Sequence, residues 1–487
     1  MSQVELQYEP VIGLEIHVEL STKSKMFCGC RVEFGGEPNT RTCPVCLAHP
    51  GALPVMNRQA IRYLARIALA LECDIPVKSI FHRKNYFYPD LPKGYQISQY
   101  DQPFAVEGHL DVAVDGERHR VGIERVHQEE DTAKNIHAGE SGRIAGSVYS
   151  LIDFNRSGTP LVEIVTKPEI NSPKLARAFL NQLKNTLLYL DVSDCNMEEG
   201  SLRCDANVSL RPIGTKELGV KTELKNMNSF RHLEKGLKQE IARQIELLEA
   251  GERVIQQTVH FDVTTGEVTP MRSKEFAHDY RYFPEPDLVP LIATAEFVDE
   301  VRAEMPELPE ARARRYREEL GLPEYDAEVL TSSRELGDYF EECLKHYGDA
   351  KTVSNWLMGE LLGYLNATGQ KLSECSVKPE SLAELLTLVN DGKVNANLGK
   401  EVFAEMCDSG MPAAEIIEAG GLTQISDQSE LEVLIDAAIN DNPRQVEQYR
   451  AGKEQVIGFF VGQVMKATEG RANPQVINEL LKQKLAG

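Results

Sequence analysis

The 487-residue sequence lacks a G-x-x-x-x-G-K-[ST] phosphate loop, so any use of ATP must proceed without one. It also lacks a G-x-S-x-G elbow and a Rossmann glycine fingerprint. No glycine/serine-rich stretch offers a serine nucleophile with a lysine base, so an amidase-type reaction is not encoded. No apolar run is long enough to cross a bilayer, which speaks against a membrane role. The opening residues, Met1 to Glu9, have neither a basic start nor an apolar block and are not expected to act as a secretory signal. Internal repeats and low-complexity segments are absent. Positive charge is scarce. Lys and Arg number 53 against 75 Asp and Glu, a net charge of −22. That balance excludes a simple electrostatic nucleic-acid binder and leaves any polyanion to be met on local surfaces.

Four of the ten cysteines are present as Cys28-x-Cys30 and Cys43-Pro-x-Cys46. Two close pairs joined by a polar loop can surround one tetrahedral zinc ion, which would stabilise a loop with little to bury. Two disulfides or four free thiols are the alternatives. The other six are scattered, as expected of small buried residues in a reducing cytoplasm.

Two compositional regimes divide the chain. Residues 1–295 hold short alternating strands, many turns and most of the histidines and aromatics. Beyond them Leu, Glu, Ala and Lys recur at helical spacing. Several helices are expected between about Pro306 and Val389, followed by a turn-rich connector, Asn390 to Asn397, and beyond about Met411 by a smaller set of short helices, so the helical half divides into 296–408 and 409–487. The fold class expected is α+β: a mixed or antiparallel sheet domain, then a helical domain, then a small helical tail. In Val11 to Leu20 the even-numbered residues from Ile12 are apolar, while Glu15, His17 and Glu19 face the other way. Helices are expected over about 58–72, from the Ser172-Pro173 cap to about 190, and from about 229 to 250 before Gly251. Strands are expected over 104–126, 148–154 and 161–165.

Glu15 and His17 share a strand face, and two acidic segments could join them: His127-Gln-Glu-Glu-Asp131 and the strand around Glu163. Several carboxylates and one imidazole could bind Mg²⁺; a solvated strand face is the alternative. Tyr86 to Gln99 is an aromatic, proline-rich loop flanked by Arg83 and Lys84 and containing Lys93. It suits a ligand wall, a protein interface or a packed Ω-loop. Arg203, Asp205 and Asn207 share one strand face, as do Lys221, Glu223 and Lys225. Arg281 stands among aromatics. Together these make a plausible polar pocket floor, or an exposed sheet face.

Taken in order, these segments resemble the B subunit of the aspartyl/glutamyl-tRNA(Asn/Gln) amidotransferase family. The motifs are Gly13-Leu-Glu-Ile-His17, the cysteine quartet, Tyr88-Pro-Asp-Leu-Pro-Lys-Gly-Tyr-Gln-Ile-Ser98, His127-x-Glu-Glu-Asp131 and Asp153-Phe-Asn-Arg-Ser-Gly-Thr-Pro160 running into Glu163. Gly200-Ser-x-Arg-x-Asp-x-Asn-Val-Ser209, Lys221-Thr-Glu-x-Lys-Asn226 and Tyr280-Arg-Tyr-Phe-Pro-Glu-Pro-Asp287 continue the match, as do the Asn-x-Asn-Leu-Gly-Lys connector and the terminal Asn473-Pro-x-Val-Ile-Asn-Glu-Leu-Leu481.

The resemblance implies a catalytic cradle domain with a zinc-binding loop, a helical domain and a tail that approaches tRNA. It implies a ligase of protein biosynthesis in which ATP phosphorylates the side-chain carboxylate of misacylated Glu-tRNA(Gln) or Asp-tRNA(Asn). Ammonia from a glutaminase A subunit then displaces phosphate, and a small C subunit completes a heterotrimer. It makes Glu15, His17, Glu130 and Glu163 Mg²⁺ ligands and catalytic residues, and Cys28, Cys30, Cys43 and Cys46 zinc ligands. Lys84 and Lys93 become candidates for tunnel gating or phosphate contact. Arg203, Asp205, Asn207, Lys225 and Arg281 become candidates for the ATP or aminoacyl pocket. In the tail, Lys466, Arg471, Lys482 and Lys484 offer tRNA contacts or a solvated helix face. The stretch His137 to Ser147 looks longer than the family's usual link and is expected to form a surface hairpin.

Overall fold

A computed structural model describes residues 7–138, 147–225, 227–262, 265–273, 279–422, 428–468 and 470–486. The chain divides into two compact units, Met1–Leu308 and Pro309–Gly487.

Fifteen strands lie among the described residues of the first unit. They are β1 (Tyr8–Glu19), β2 (Lys78–Ser79), β3 (His82–Asn85), β4 (Tyr95–Ser98), β5 (Ala105–Val114), β6 (Glu117–Glu130), β7 (Lys134–Ala138), β8 (Tyr149–Asp153), β9 (Pro160–Thr166), β10 (Leu202–Pro212), β11 (Thr222–Lys225), β12 (Gln257–Phe261), β13 (Val268–Ser273), β14 (Phe283–Pro284) and β15 (Leu291–Ile292). Eight form one sheet in the order β13-β12-β11-β10-β1-β9-β6-β5. All its neighbours run antiparallel except the parallel pair β11 and β12. The strand pairs β7–β8 and β2–β15 and the trio β14-β3-β4 stand apart from it.

The sheet is two-sided because its strands alternate. Along β1 the side chains of Ile12, Leu14, Ile16 and Val18 are buried, while Glu15 and His17 are only half-buried. Along β10, Leu202, Cys204, Ala206 and Val208 are buried and Arg203, Asp205 and Asn207 stand on the other side. The apolar side is covered by α1 (Arg58–Ala70), α2 (Pro173–Tyr189) and α3 (Phe230–Glu249), with α4 (Ala295–Ala303) packed on α1. Each of the first three helices starts where a side chain can accept from its orphan N–H groups: Asn57, Ser172 and Ser229. Leu175, Phe179, Leu183 and Leu187 of α2 are all buried in the core, as the spacing predicts. α3 can lie close to β11 and β12 because Gly236 has no side chain. A Cβ there would fall 2.9 Å from Leu224 and 3.2 Å from Phe261.

The second unit is helical throughout its described residues and holds two separate apolar cores. One spans residues between Ala313 and Ile417, the other residues between Leu431 and Leu485. The connector predicted at 390–397 is a turn between helices Pro379–Asn390 and Ala396–Ser409. β7 and β8 pair antiparallel as a hairpin would. The tip of the hairpin expected there lies outside the described residues, as does Asn226.

Candidate active site

The uncovered side of the sheet carries a row of polar groups in register across four strands. Arg203 of β10 pairs with His17 of β1, His17 with Glu163 of β9, and Glu163 with His127 of β6. Period-two alternation then brings Glu129 to the same side of β6 as His127. His17 Nε2 lies 3.4 Å from Glu163 Oε2 and 3.7 Å from Glu129 Oε1. His127 Nε2 lies 3.5 Å from Glu163 Oε2 and 3.9 Å from Glu129 Oε2.

Burial makes this cluster electrostatically costly. Burial and the neighbouring Glu163 charge push the Glu129 carboxyl up. Burial works to raise Glu163 as well, but His127 and His17 hold it well below the usual carboxylate range. Burial lowers His127 to about 4, so its ring is neutral. Burial also works to lower His17, and its bond and charge contact with Glu163 outweigh that and raise it. Two facing carboxylates, one neutral imidazole and one imidazole between them are a donor set for a hard divalent cation. His17, Glu129 and Glu163 offer ligand atoms all within 4.8 Å of one another, and they fit Mg²⁺.

The cluster opens onto a cleft of about 970 Å³. Glu15 stands on its wall beside the cluster, accepting a 2.9 Å hydrogen bond from Asn207. Asp205 accepts from Lys225 at 2.7 Å, and Glu223 lies 3.0 Å from the same ammonium. Lys84 is half-buried, with Nζ 5.2 Å from the Tyr280 ring centroid. Burial would lower its pKa, but Glu129, Tyr282 and Glu163 together raise it, so it stays charged.

Four residues singled out in the sequence, Glu130, Lys93, Arg203 and Arg281, stand elsewhere. Glu130 is not with His17 and Glu163; Glu129 is. Adjacent residues of a strand leave opposite faces, and Glu130 turns to an ion pair with Lys93 and a 3.0 Å bond from the Ile97 N–H. That pair borders a second cavity of about 210 Å³ beside Cys46. Arg203 shares the row but is not on the cleft wall. Its guanidinium is tied to Asp131 at 2.7 Å. There burial and the Asp131 charge push Glu19 up to about 9, so Glu19 holds the proton. Arg281 is exposed and off the wall, and its neighbours Tyr280 and Tyr282 line it instead. Arg125, not among the residues the sequence pointed to, also lines the cleft, 3.8 Å from Glu163. Its position two residues before His127 was the available signal.

The four cysteines of the N-terminal loop converge. All are free thiols, with their sulfurs within 4.8 Å of one another, 3.9 Å for Cys43–Cys46 and 4.0 Å for Cys30–Cys46. Tetrahedral zinc with bonds of about 2.3 Å sets sulfurs roughly 3.8 Å apart, so the donor set fits zinc and leaves no open position. A hydrogen bond from Cys28 pulls Cys46 down to about 4, helped by Lys25. Lys25 is fully buried. Its ammonium donates to the carbonyls of Arg41 at 2.9 Å and Phe154 at 3.1 Å and lies 3.6 Å from Cys46 Sγ. The loop is laced to residues 153–158, just before β9, through Met26 to Gly158, Asn39 to Asp153 and Arg41 to Asn155.

In the tail, Lys484 is spent on Asp436 at 2.7 Å and Arg471 on nearby carbonyls, while Lys466 and Lys482 are exposed. None of the described helices is long and apolar enough to cross a membrane.

Comparison with known proteins places this cleft in a class. The family model "GatB/GatE catalytic domain" matches residues 10–299, which hold the cluster and all but the first two residues of the sheet, and the "GatB domain" model matches 338–485. The chain is 54% identical over 480 residues to the B subunit of the aspartyl/glutamyl-tRNA(Asn/Gln) amidotransferase of Carboxydothermus hydrogenoformans, covering 99% of each chain. It is 53% identical over 476 residues to that of Thermodesulfovibrio yellowstonii, covering 98% of this chain and 99% of the relative. The protein of the same name from Moorella thermoacetica is 54% identical over 480 residues, covering 99% and 100%. The chain belongs to the family of aspartyl/glutamyl-tRNA(Asn/Gln) amidotransferase B subunits, transamidating ligases of protein biosynthesis.

Proposed function

We propose that this chain activates and amidates the side-chain carboxylate of misacylated Glu-tRNA(Gln), Asp-tRNA(Asn) or both. The observation that carries this is the His17–Glu129–Glu163 cluster at the foot of a cleft lined by Lys84, Arg125 and Lys225. The first step moves the γ-phosphoryl group of ATP onto the substrate carboxylate, releasing ADP and forming an acyl phosphate. Both reactants are anions, so the step needs positioned positive charge more than covalent help. His17, Glu129 and Glu163, with Glu15 close by, would hold Mg²⁺, which would supply charge neutralisation when bound. Lys84, Arg125 and Lys225 hold phosphate and carboxylate oxygens against one another. Asp205 and Asn207 fix Lys225 and Glu15 in place. In the second step ammonia attacks the acyl carbon, phosphate leaves with the bonding electrons, and a proton is lost to give the amide.

The ammonia is delivered by a glutaminase A subunit, with a small C subunit completing a cytoplasmic heterotrimer. Lys93 and Glu130, off the cleft, are the candidates for gating its entry. Zinc at the cysteine loop is structural. The three apolar cores support a division into cradle, helical and tail domains, the tail meeting tRNA through its exposed Lys466 and Lys482. The deciding experiment incubates the reconstituted complex with ATP, ammonia and each misacylated tRNA, and measures ADP and amidated product. Absence of ATP-dependent product with both tRNAs would sink the reading.

A further inference from the structure

At the cleft wall two tyrosine rings lie face to face. Tyr100 and Tyr282 have centroids 4.3 Å apart and planes within 7° of parallel. Tyr100 is 58% exposed, although its ring is large and apolar.

Their meeting follows from the small sheet. Tyr282 directly precedes β14, Tyr100 follows shortly after β4, and these strands flank β3 on either side. The two rings thus reach each other from the strands on either side of β3. His82 of β3 braces Tyr100 edge-on at 6.4 Å, with its Nε2 3.0 Å from Asp101. Tyr280 braces Tyr282 edge-on at 6.1 Å, and Tyr86 braces Tyr280 at 5.9 Å. The chain bends between Tyr280 and Tyr282 at Arg281, which takes a φ of 45°, a left-handed conformation uncommon for a non-glycine residue. Asn85 holds that bend, with its N–H on the Tyr280 carbonyl at 3.0 Å and its side chain on the Arg281 carbonyl at 2.8 Å. Such strain persists where the surroundings over-determine it, commonly at a ligand site. Arg83 fixes β14 further through a bidentate pair with Glu285 at 2.7 and 2.8 Å. The stack is thus rigid on one side and open on the other.

We propose that the open face of Tyr100 is a stacking platform for an adenine ring. The proposal rests on the ATP-dependent reading above, which brings two adenines to this cleft: the base of ATP and the terminal adenosine of the tRNA acceptor end. The chain has no phosphate loop to anchor a nucleotide by its phosphates, so a base platform is the complementary solution. Tyr100, Tyr282, Lys84 and the metal-binding cluster line one cleft. A base on Tyr100 leaves its phosphates or its esterified end free to reach toward Lys84 and the carboxylates. A braced aromatic face binds any purine by its π surface and loses little entropy in doing so.

The test uses the reconstituted complex with Tyr100→Ala, Tyr100→Leu and Tyr100→Phe, each checked for folding by thermal melting. Loss of one stacked base weakens binding by about tenfold, so Tyr100→Ala and Tyr100→Leu should raise one KM by that factor. Tyr100→Phe, which keeps the ring, should restore most of the affinity. A rise in KM for ATP alone assigns the platform to the base of ATP. A rise in KM for misacylated tRNA alone assigns it to the terminal adenosine. In that case the Ala variant should bind full-length deacylated tRNA and tRNA lacking its last nucleotide equally. Unchanged KM for both substrates, or a phenylalanine variant as impaired as alanine, overturns the platform. If the wild-type complex itself forms no ADP, the activity reading fails instead. The platform is then judged by direct titration of ATP and of deacylated tRNA onto wild type and Tyr100→Ala.

Discussion

His17 and Glu163 face each other at 3.4 Å from directly paired positions of the antiparallel neighbours β1 and β9. Two adjacent strands thus bring an imidazole and a carboxylate together without any loop, which makes the cluster as stiff as the sheet. Glu163→Gln keeps the shape and removes the charge. ATP-dependent phosphorylation of misacylated tRNA should fall by roughly 100-fold or more while tRNA binding survives. Normal phosphorylation by this variant, measured as ADP release, would remove Glu163 from the metal site.

Glu129 and Glu130 are neighbours in sequence with opposite fates. Glu129→Gln should abolish the phosphorylation step. Glu130→Gln should leave it largely intact but strand the Lys93 ammonium, at a cost of about 3–5 kcal/mol in stability. Denaturant melts and a single-turnover phosphorylation assay separate the two. Equal kinetic loss in both variants would contradict the facing of β6.

Cys43→Ser should cost the loop its zinc, read as a drop in metal stoichiometry by elemental analysis and a lower melting temperature. Full zinc retention would mean that Cys43 is not a ligand.

Lys25→Met should leave the Arg41 and Phe154 carbonyls without this donor and remove the cation beside Cys46 Sγ. A penalty of about 1–3 kcal/mol is expected, together with faster zinc release to a chelator. Unchanged release kinetics would separate the lysine from the cysteine site.

In the helical unit, Arg312 and Arg315 lie 2.9 and 2.6 Å from Glu341. Burial raises the Glu341 carboxyl, but these bonds outweigh it and the net shift is downward from 4.5. The folded form therefore binds this proton less readily than the unfolded form. Its stabilisation is complete above about pH 4.5 and fades as pH falls through the lowered folded value. Glu341→Gln should flatten the acid limb of the unfolding curve below that pH. An identical acid limb in wild type and variant would show that Glu341 does not govern it.

Much of the frame was legible in the sequence because its signals are local. The alternation of β1, the Ser172-Pro173 cap and the stop at Gly251 each depend on residues a few positions apart, and each stands where expected. The cluster was legible only to the nearest residue. Glu129 and Glu130 are chemically identical neighbours, and only the pairing of β6 with β9 decides which one meets Glu163. Arg203 and Arg281 carry the right chemistry for a pocket, but Asp131 claims the first and a backbone bend turns the second away. The tyrosine stack joins residues 182 positions apart through a three-stranded sheet, a relationship that no local pattern encodes.

β1 serves two masters. Its even-numbered residues close the core under the helices while Glu15 and His17 furnish the cleft, so frame and chemistry are written in one alternating string. Substitution can alter either half alone. A single inserted or deleted residue between Ile12 and Leu20 cannot, because it would send His17 into the oil and an isoleucine or valine into the cleft. For anyone re-engineering this enzyme, the strand's length is therefore a harder constraint than most of its letters.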